Sequence, residues 1–243
     1  MYSFAAKFWA AAQFGEHLAI VKDARYNDRM SHENRFLGGE RRGYHHGRLK
    51  DALVEAARSL VAERGPSGFT LAEAAKRVGV TSAAPYRHFS DRNDLMGELA
   101  RRGFEQFGEA LARAWDQGRP DAIAAAKRMG AAYLEFARRE PGLYSAMFGN
   151  VQTLHDPGPG AAADKALATL RNATEAVLRQ HGAPVEGGLA LAFQLWSLSH
   201  GVAMLAMAGH LGPGDGCGDP AEVMNGAASA LFETAVRKAL QPR

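Results

Sequence analysis

Cysteine is almost absent from this chain: Cys217 stands alone among 243 residues. A single thiol excludes an intrachain disulfide framework and a thiolate metal centre, so a reducing cytoplasm is the expected location. A clean run of 18 uncharged apolar residues is also missing, so no membrane span and no membrane partner is expected. After Tyr44 no stretch alternates β-branched with polar residues, which leaves strands without a signal. Excess charge is scarce too, the formal net being only +3, but it is unevenly placed. Between Arg41 and Arg92 ten Lys/Arg stand against five Asp/Glu, an excess of +5, while the remainder sums to −2. A positive field confined to one part of the chain suits a module that faces nucleic acid. What is plentiful is apolar residue, at 47%, enough to fill the core of one large or two small domains.

Helical periodicity runs from Tyr44 onward and predicts an all-α protein of about nine helices. Leu49, Leu53, Ala56, Ala57, Leu60 and Val61 make one face of a first helix, stopped by Gly65-Pro66. Thr70-Leu71-Ala72-Glu73 has the capping-box form, so a short second helix starts at Leu71 and ends at Gly79. Thr81 is expected to cap a third helix, with Pro85 in its first turn. Ser90 or Asp91 caps a fourth, which runs to Gly118 through Leu95, Leu99, Phe107, Leu111 and Trp115. Further helices are expected near 121 to 139, 142 to 149, 161 to 181, 185 to 210 and 220 to 240, with "HDPGPG" (155 to 160) and "GPGDGCGDP" (212 to 220) as loops. Residues 1 to 29 read as a leader outside the fold, with Met30 a plausible start. A membrane-adhering helix is the competing reading of "FAAKFWAAAQF".

Two short helices joined at Gly79 have the helix-turn-helix form, whose second helix enters the DNA major groove. Ser82, Ala83 and Ala84 keep its leading face small, and Tyr86, Arg87 and His88 follow as donors suited to phosphate oxygens. The stretch "FTLAEAAKRVGVTSAAPYRHFSDRNDLMGEL" resembles the amino-terminal DNA-binding domain of the TetR family of bacterial transcriptional regulators. Spacing, caps and the Tyr-x-His-Phe ending agree together over about residues 44 to 99; where the family usually has Leu, Ile or Val, this chain has Pro85. The resemblance implies that Ser82 and Ala83 meet base edges while Thr70, Thr81, Tyr86, His88 and Arg92 hold phosphates. Few of these side chains form bidentate pairs with bases, so specificity is expected to lean on thymine methyls, DNA shape and the arm. That arm is "ERRGYHHGR", in which Arg41, Arg42, His45, His46 and Arg48 follow the DNA backbone or enter the minor groove, with a solvated terminus as the alternative. His45-His46 lacks the neighbours of a metal site.

Beyond residue 100 the helices carry an aromatic and methionine stripe that serves equally as core or as the wall of an adaptable apolar pocket. The pocket candidates are Phe107, Met129, Tyr133, Phe136, Tyr144, Met147, Phe148, Trp196, His200 and Met204. "WSLSHG" (196 to 201) resembles the Trp…His-Gly signature of the WHG-type carboxy-terminal domain found in the same family, and "YLEFARREPGLYSAMF" (133 to 148) looks like its neighbouring segment. The bland alternative for Trp196 and His200 is a packed core pair with the imidazole bonded to backbone. Helices 185 to 210 and 220 to 240, rich in Ala, Gly and Leu, are expected to form a homodimer interface across a two-fold axis.

The organisation expected is therefore a leader and basic arm (1–40), a helix-turn-helix domain of three helices (41–95), and a helical ligand-binding and dimerisation domain (96–243). The function expected is a ligand-responsive transcriptional regulator, a repressor that binds a palindromic operator in double-stranded DNA as a homodimer and is released by a small apolar or amphipathic inducer. No cofactor and no metal are expected. The competing readings are a DNA-binding protein without inducer, architectural or constitutive, and a helical enzyme using His200, Glu135, Glu140 or His155, which are scattered and carry no cofactor fingerprint.

Overall fold

The computed structural model describes residues 46–149, 157–212 and 218–240. Among them lie eight α-helices and three 3-10 turns, with no strand. The helices are α1 (His46–Arg64), α2 (Leu71–Val78), α3 (Arg92–Trp115), α4 (Ala122–Arg139), α5 (Pro141–Phe148), α6 (Pro157–Gln180), α7 (Gly188–Met207) and α8 (Pro220–Ala239).

Local chemistry accounts for the early boundaries. Gly65 takes φ 79° after α1, and Gly79 takes the same value after α2, a left-handed geometry that an L side chain would strain. The Thr70 hydroxyl accepts from the Glu73 amide at 3.2 Å while the Glu73 carboxylate accepts from the Thr70 amide at 2.9 Å, which completes the capping box. Asp91 caps α3 through the Asp94 amide at 2.9 Å, and Asp94 in turn accepts from the Ser90 amide at 2.9 Å. The 24 residues of α3 give it a length of about 36 Å, and it packs along α4, α5 and α6.

One apolar core runs the length of that helix. Leu53, Leu60 and Phe89 meet Leu95 and Leu99 at one end, and Phe104 and Phe107 meet Met129, Tyr133 and Met147 at the other. A second cluster, with Val177, Leu178, Leu191, Leu195 and Phe232, joins α6, α7 and α8.

Two expectations need correction. The third helix is a single 3-10 turn, Ala84–Arg87, and the Thr81 side chain does not cap it. Pro85 has no N–H to give the Thr81 carbonyl; the Ala84 amide bonds that oxygen instead, at 3.0 Å, which tightens the coil to three residues per turn. Residues 157 to 160 are not loop but the first turn of α6, where Pro157 and Pro159 lose no hydrogen bond because first-turn amides have no helical partner. Among the described residues one stretch, Val185–Met207, has the length and apolar composition of a membrane-crossing helix, by those two measures only. Its Leu191, Ala192, Leu195, Ser199, Val202 and Ala203 are buried against the rest of the protein, the pattern of a packing helix.

Candidate nucleic-acid interface and adjoining cavity

The turn after α2 presents one edge outward. Thr81, Ser82, Ala83, Tyr86 and Arg87 are exposed, Tyr86 to 62%, while Pro85 and Phe89 face inward. The Pro85 carbonyl accepts from both the His88 and Phe89 amides, at 2.9 and 3.0 Å, so the backbone holding Tyr86 and Arg87 is closed on itself. Small residues lead and long side chains with donors follow along this edge.

Charges beside the turn divide into paired and free. Arg77 forms a two-pronged pair with Glu63 at 2.7 and 2.8 Å, and Arg64 bonds Glu73 at 2.7 Å, so α2 is tied to α1. The Arg77 hydrogen bonds hold the Glu63 carboxyl below the usual range, and the Arg64 and Thr70 hydrogen bonds do the same for Glu73. Lys76 and Arg87 pair with no acid among the described residues and remain available to DNA. Lys76 is not among the residues singled out above; its signal in the sequence is that Glu73, the acid one turn back, is already committed to the capping box.

Other predicted contacts stand differently. Thr70 is exposed, but its hydroxyl serves the cap. Arg92 donates from Nε to the Phe69 carbonyl at 3.1 Å and lies over the Phe69 ring, 5.0 Å from its centre, so it fastens the start of α3 to the segment before α2. His88 is half-buried, with Nε2 enclosed and lacking a partner among the described residues. Arg41, Arg42 and His45 lie outside the described residues, and His46 opens α1 with its side chain likewise outside them.

The second group of candidates surrounds the far half of α3. Phe107, Met129, Tyr133 and Trp196 line a cavity of about 40 Å³, together with Leu170, Thr174, Ser199 and Met224. That holds one or two waters and no drug-sized molecule, so the cavity is closed down. Phe136, Tyr144, Met147, Phe148 and His200 lie behind this wall as packed aromatics and sulfur, while Met204 is 40% exposed on α7. His200 Nδ1 sits 2.7 Å from the Tyr144 hydroxyl, which is 3.2 Å from that of Tyr133. The imidazole partner is therefore a tyrosine rather than backbone. Burial pushes the His200 pKa down and both tyrosines up, so all three are neutral at neutral pH.

The groups proposed for an enzyme do not converge. Glu135 is bonded by Arg138 at 2.8 Å, Glu140 by Arg58 at 2.6 Å, and His155 lies outside the described residues. No cluster of three metal-ligating side chains occurs among the described residues.

Comparison with known proteins finds matches for two stretches of the chain. Residues 53–99 match the family model for bacterial regulatory proteins of the tetR family, and residues 126–231 match that for a tetracyclin repressor-like, C-terminal domain. The chain is 28% identical over 161 residues to Rv0681, an uncharacterized HTH-type transcriptional regulator of Mycobacterium tuberculosis, covering 66% of this chain and 71% of that protein. Among solved structures, a protein of unknown function from Rhodococcus sp. RHA1 shares 29% identity at a TM-score of 0.68, over 80% of this chain and 99% of that one. PfmR, a TetR family transcriptional regulator from Thermus thermophilus, shares the fold at 17% identity and a TM-score of 0.59, over 78% of this chain and 99% of that one. Fold, exposed turn and relatives together define a helix-turn-helix transcriptional regulator, a DNA-binding protein and not an enzyme. With both its halves matched, the chain belongs to the TetR family.

Proposed function

We propose that the protein is a homodimeric repressor of a two-fold symmetric operator, released when a small apolar or amphipathic ligand enters its second half. The observation that carries this reading is the continuity of α3. Its first turns share a core with Phe89, which closes the exposed turn, and its later residues Phe107 and Leu111 line the cavity. In this reading Ser82 and Ala83 meet bases, and Thr81, Tyr86, Lys76 and Arg87 meet phosphates. Thr70, His88 and Arg92 sit at the same edge, with Arg41, Arg42 and His46 as the preceding arm.

A second path links cavity to DNA. Tyr133 on the cavity wall bonds Tyr144 on α5, and α5 is seated on α1 at Gly142, where a methyl group would overlap the Arg58 carbonyl oxygen. The Arg58–Glu140 pair at 2.6 Å locks the same junction. A ligand that displaces Tyr133 moves α5, and α5 moves α1. Release then requires that the ligand bind the displaced arrangement more tightly than the DNA-competent one. Dimerisation is supported by the apolar residues that α7 and α8 leave outward: Met204, Leu205, Met207 and Val223 are all 37 to 47% exposed. Such a face suits a self-complementary interface that sets two turns about 34 Å apart, one helical repeat of DNA.

Footprinting of the full chain on the DNA upstream of its own gene, at physiological salt, tests this reading. A protected palindrome is expected, and sedimentation at micromolar concentration should give a dimer. Diffuse retardation that fades with salt, or a monomer, contradicts it.

A further inference from the structure

The polar groups of the cavity are distributed unequally between its interior and its rim. Inside, the hydroxyls are already engaged: Thr174 Oγ1 lies 2.7 Å from the Gly188 carbonyl oxygen, and the Ser199 hydroxyl donates to the Leu195 carbonyl at 2.8 Å. The Tyr133 hydroxyl is taken up by Tyr144. A ligand acceptor buried here finds no unused hydroxyl proton, the amide of the exposed Asn225 lying at the edge of the lining, and a polar group without a partner is disfavoured in such surroundings. The interior therefore selects an apolar tail.

The rim is different. Lys127 on α4 lines the cavity and also an outer pocket of about 360 Å³ between α4 and α8, which shares Phe232 with it. Lys127 is exposed and has no ion-pair partner among the described residues. The other charged side chains of the outer pocket are Arg237 and Glu233, so its mouth carries a net positive charge; His181 there places Nδ1 2.9 Å from the Val177 carbonyl oxygen. An apolar slot that ends at an unpaired ammonium group is complementary to an apolar acid.

We propose that the ligand of this cavity is a monocarboxylate with an apolar tail, seated with the tail against Phe107, Leu170 and Trp196 and the carboxylate at Lys127. This rests on the ligand-responsive reading given above. The closed cavity is smaller than the roughly 150 Å³ that admits benzene, so the wall must open. Met129 and Met224 are the parts able to do so, being unbranched and readily repacked. Gly130 faces Met224, and a Cβ at that position would stand 3.4 Å from its Cγ, so the missing side chain leaves Met224 room to swing.

The test uses three eight-carbon probes, octanoate, 1-octanol and octyltrimethylammonium, titrated calorimetrically into the full chain, with DNA retention measured in parallel. Octanoate is expected to bind roughly five- to tenfold more tightly than octanol, with the ammonium probe weakest, and the octanoate advantage should shrink as salt rises. In Lys127→Met the octanoate-to-octanol ratio should fall to about one, and Lys127→Arg should restore it. Equal affinities in the unaltered protein, a ratio unmoved by Lys127→Met, or no binding of octanoate each overturn the proposal. If octanol releases DNA as well as octanoate does, the carboxylate assignment fails and the ligand-responsive reading stands. If octanoate binds through Lys127 and DNA retention does not change, the assignment stands and that reading fails.

Discussion

Tyr86 and Arg87 stand outward between the buried Pro85 and Phe89, and neither side chain is needed to hold the turn closed. Substituting Tyr86 by Ala should therefore weaken operator binding by about 1 kcal/mol, the value of one hydrogen bond to phosphate, and leave the dimer intact. Arg87→Ala should lower the slope of log affinity against log salt by about one unit, because one fewer counterion is released. Fluorescence anisotropy at several salt concentrations reads both effects. Arg92→Ala should act otherwise: the guanidinium anchors to Phe69, so its loss should lower the unfolding midpoint along with DNA affinity. The motif itself contains Arg92, and its spacing is right for a phosphate contact. The role of its Nε, however, is fixed by the Phe69 carbonyl, 23 positions earlier, and such long-range partners leave no trace in a local pattern.

At the scale of elements, whatever depends on neighbouring residues is legible in the sequence. The Thr70–Glu73 capping box and the left-handed Gly79 are found as expected, and of Ser90 and Asp91 it is Asp91 that caps α3, each satisfied within four residues. The turn at Ala84–Arg87 departs from the expected helix because Pro85 has no N–H for the Thr81 carbonyl, which the Ala84 amide takes instead in the tighter coil. The cavity is only half legible. A stripe of Phe, Tyr and Met at helical spacing marks a buried face, but which members meet a void depends on how α6 and α8 cross it, so Tyr144 and Phe148 pack solidly while Phe107 and Trp196 line the space. The α1–α5 junction gives the sharpest element-level prediction. Gly142→Val should push α5 off α1, because nothing can yield at a backbone carbonyl, and should destabilise the protein by roughly 2–3 kcal/mol. A urea midpoint unchanged from that of the parent protein would contradict the tight seating.

For the whole molecule, two titrations act in one direction with pH. His200 is held neutral by burial, its pKa lowered from 6.5, so the stability it contributes is complete above pH 6.5 and is lost as pH falls below that value. Glu98, hydrogen-bonded by Arg101 and Arg102, is held down to about 2, and its contribution, complete above pH 4.5, is lost toward that value. Denaturant midpoints should begin to decline as pH falls below 6.5, and His200→Gln should remove that first step while the later decline through Glu98 remains. The two halves of the chain share one apolar core along α3, so the loss should register as a single transition rather than two. The same continuity makes the molecule suited to convert an event in the cavity into a displacement of the exposed turn. The central claim, that this turn reads DNA sequence as part of a two-fold dimer, is tested most directly by selecting bound duplexes from a randomised pool with the full chain at physiological salt. The account predicts a recovered motif with inverted half-sites about one helical repeat apart. A pool that stays random through successive rounds, or a motif without two-fold symmetry, would contradict it.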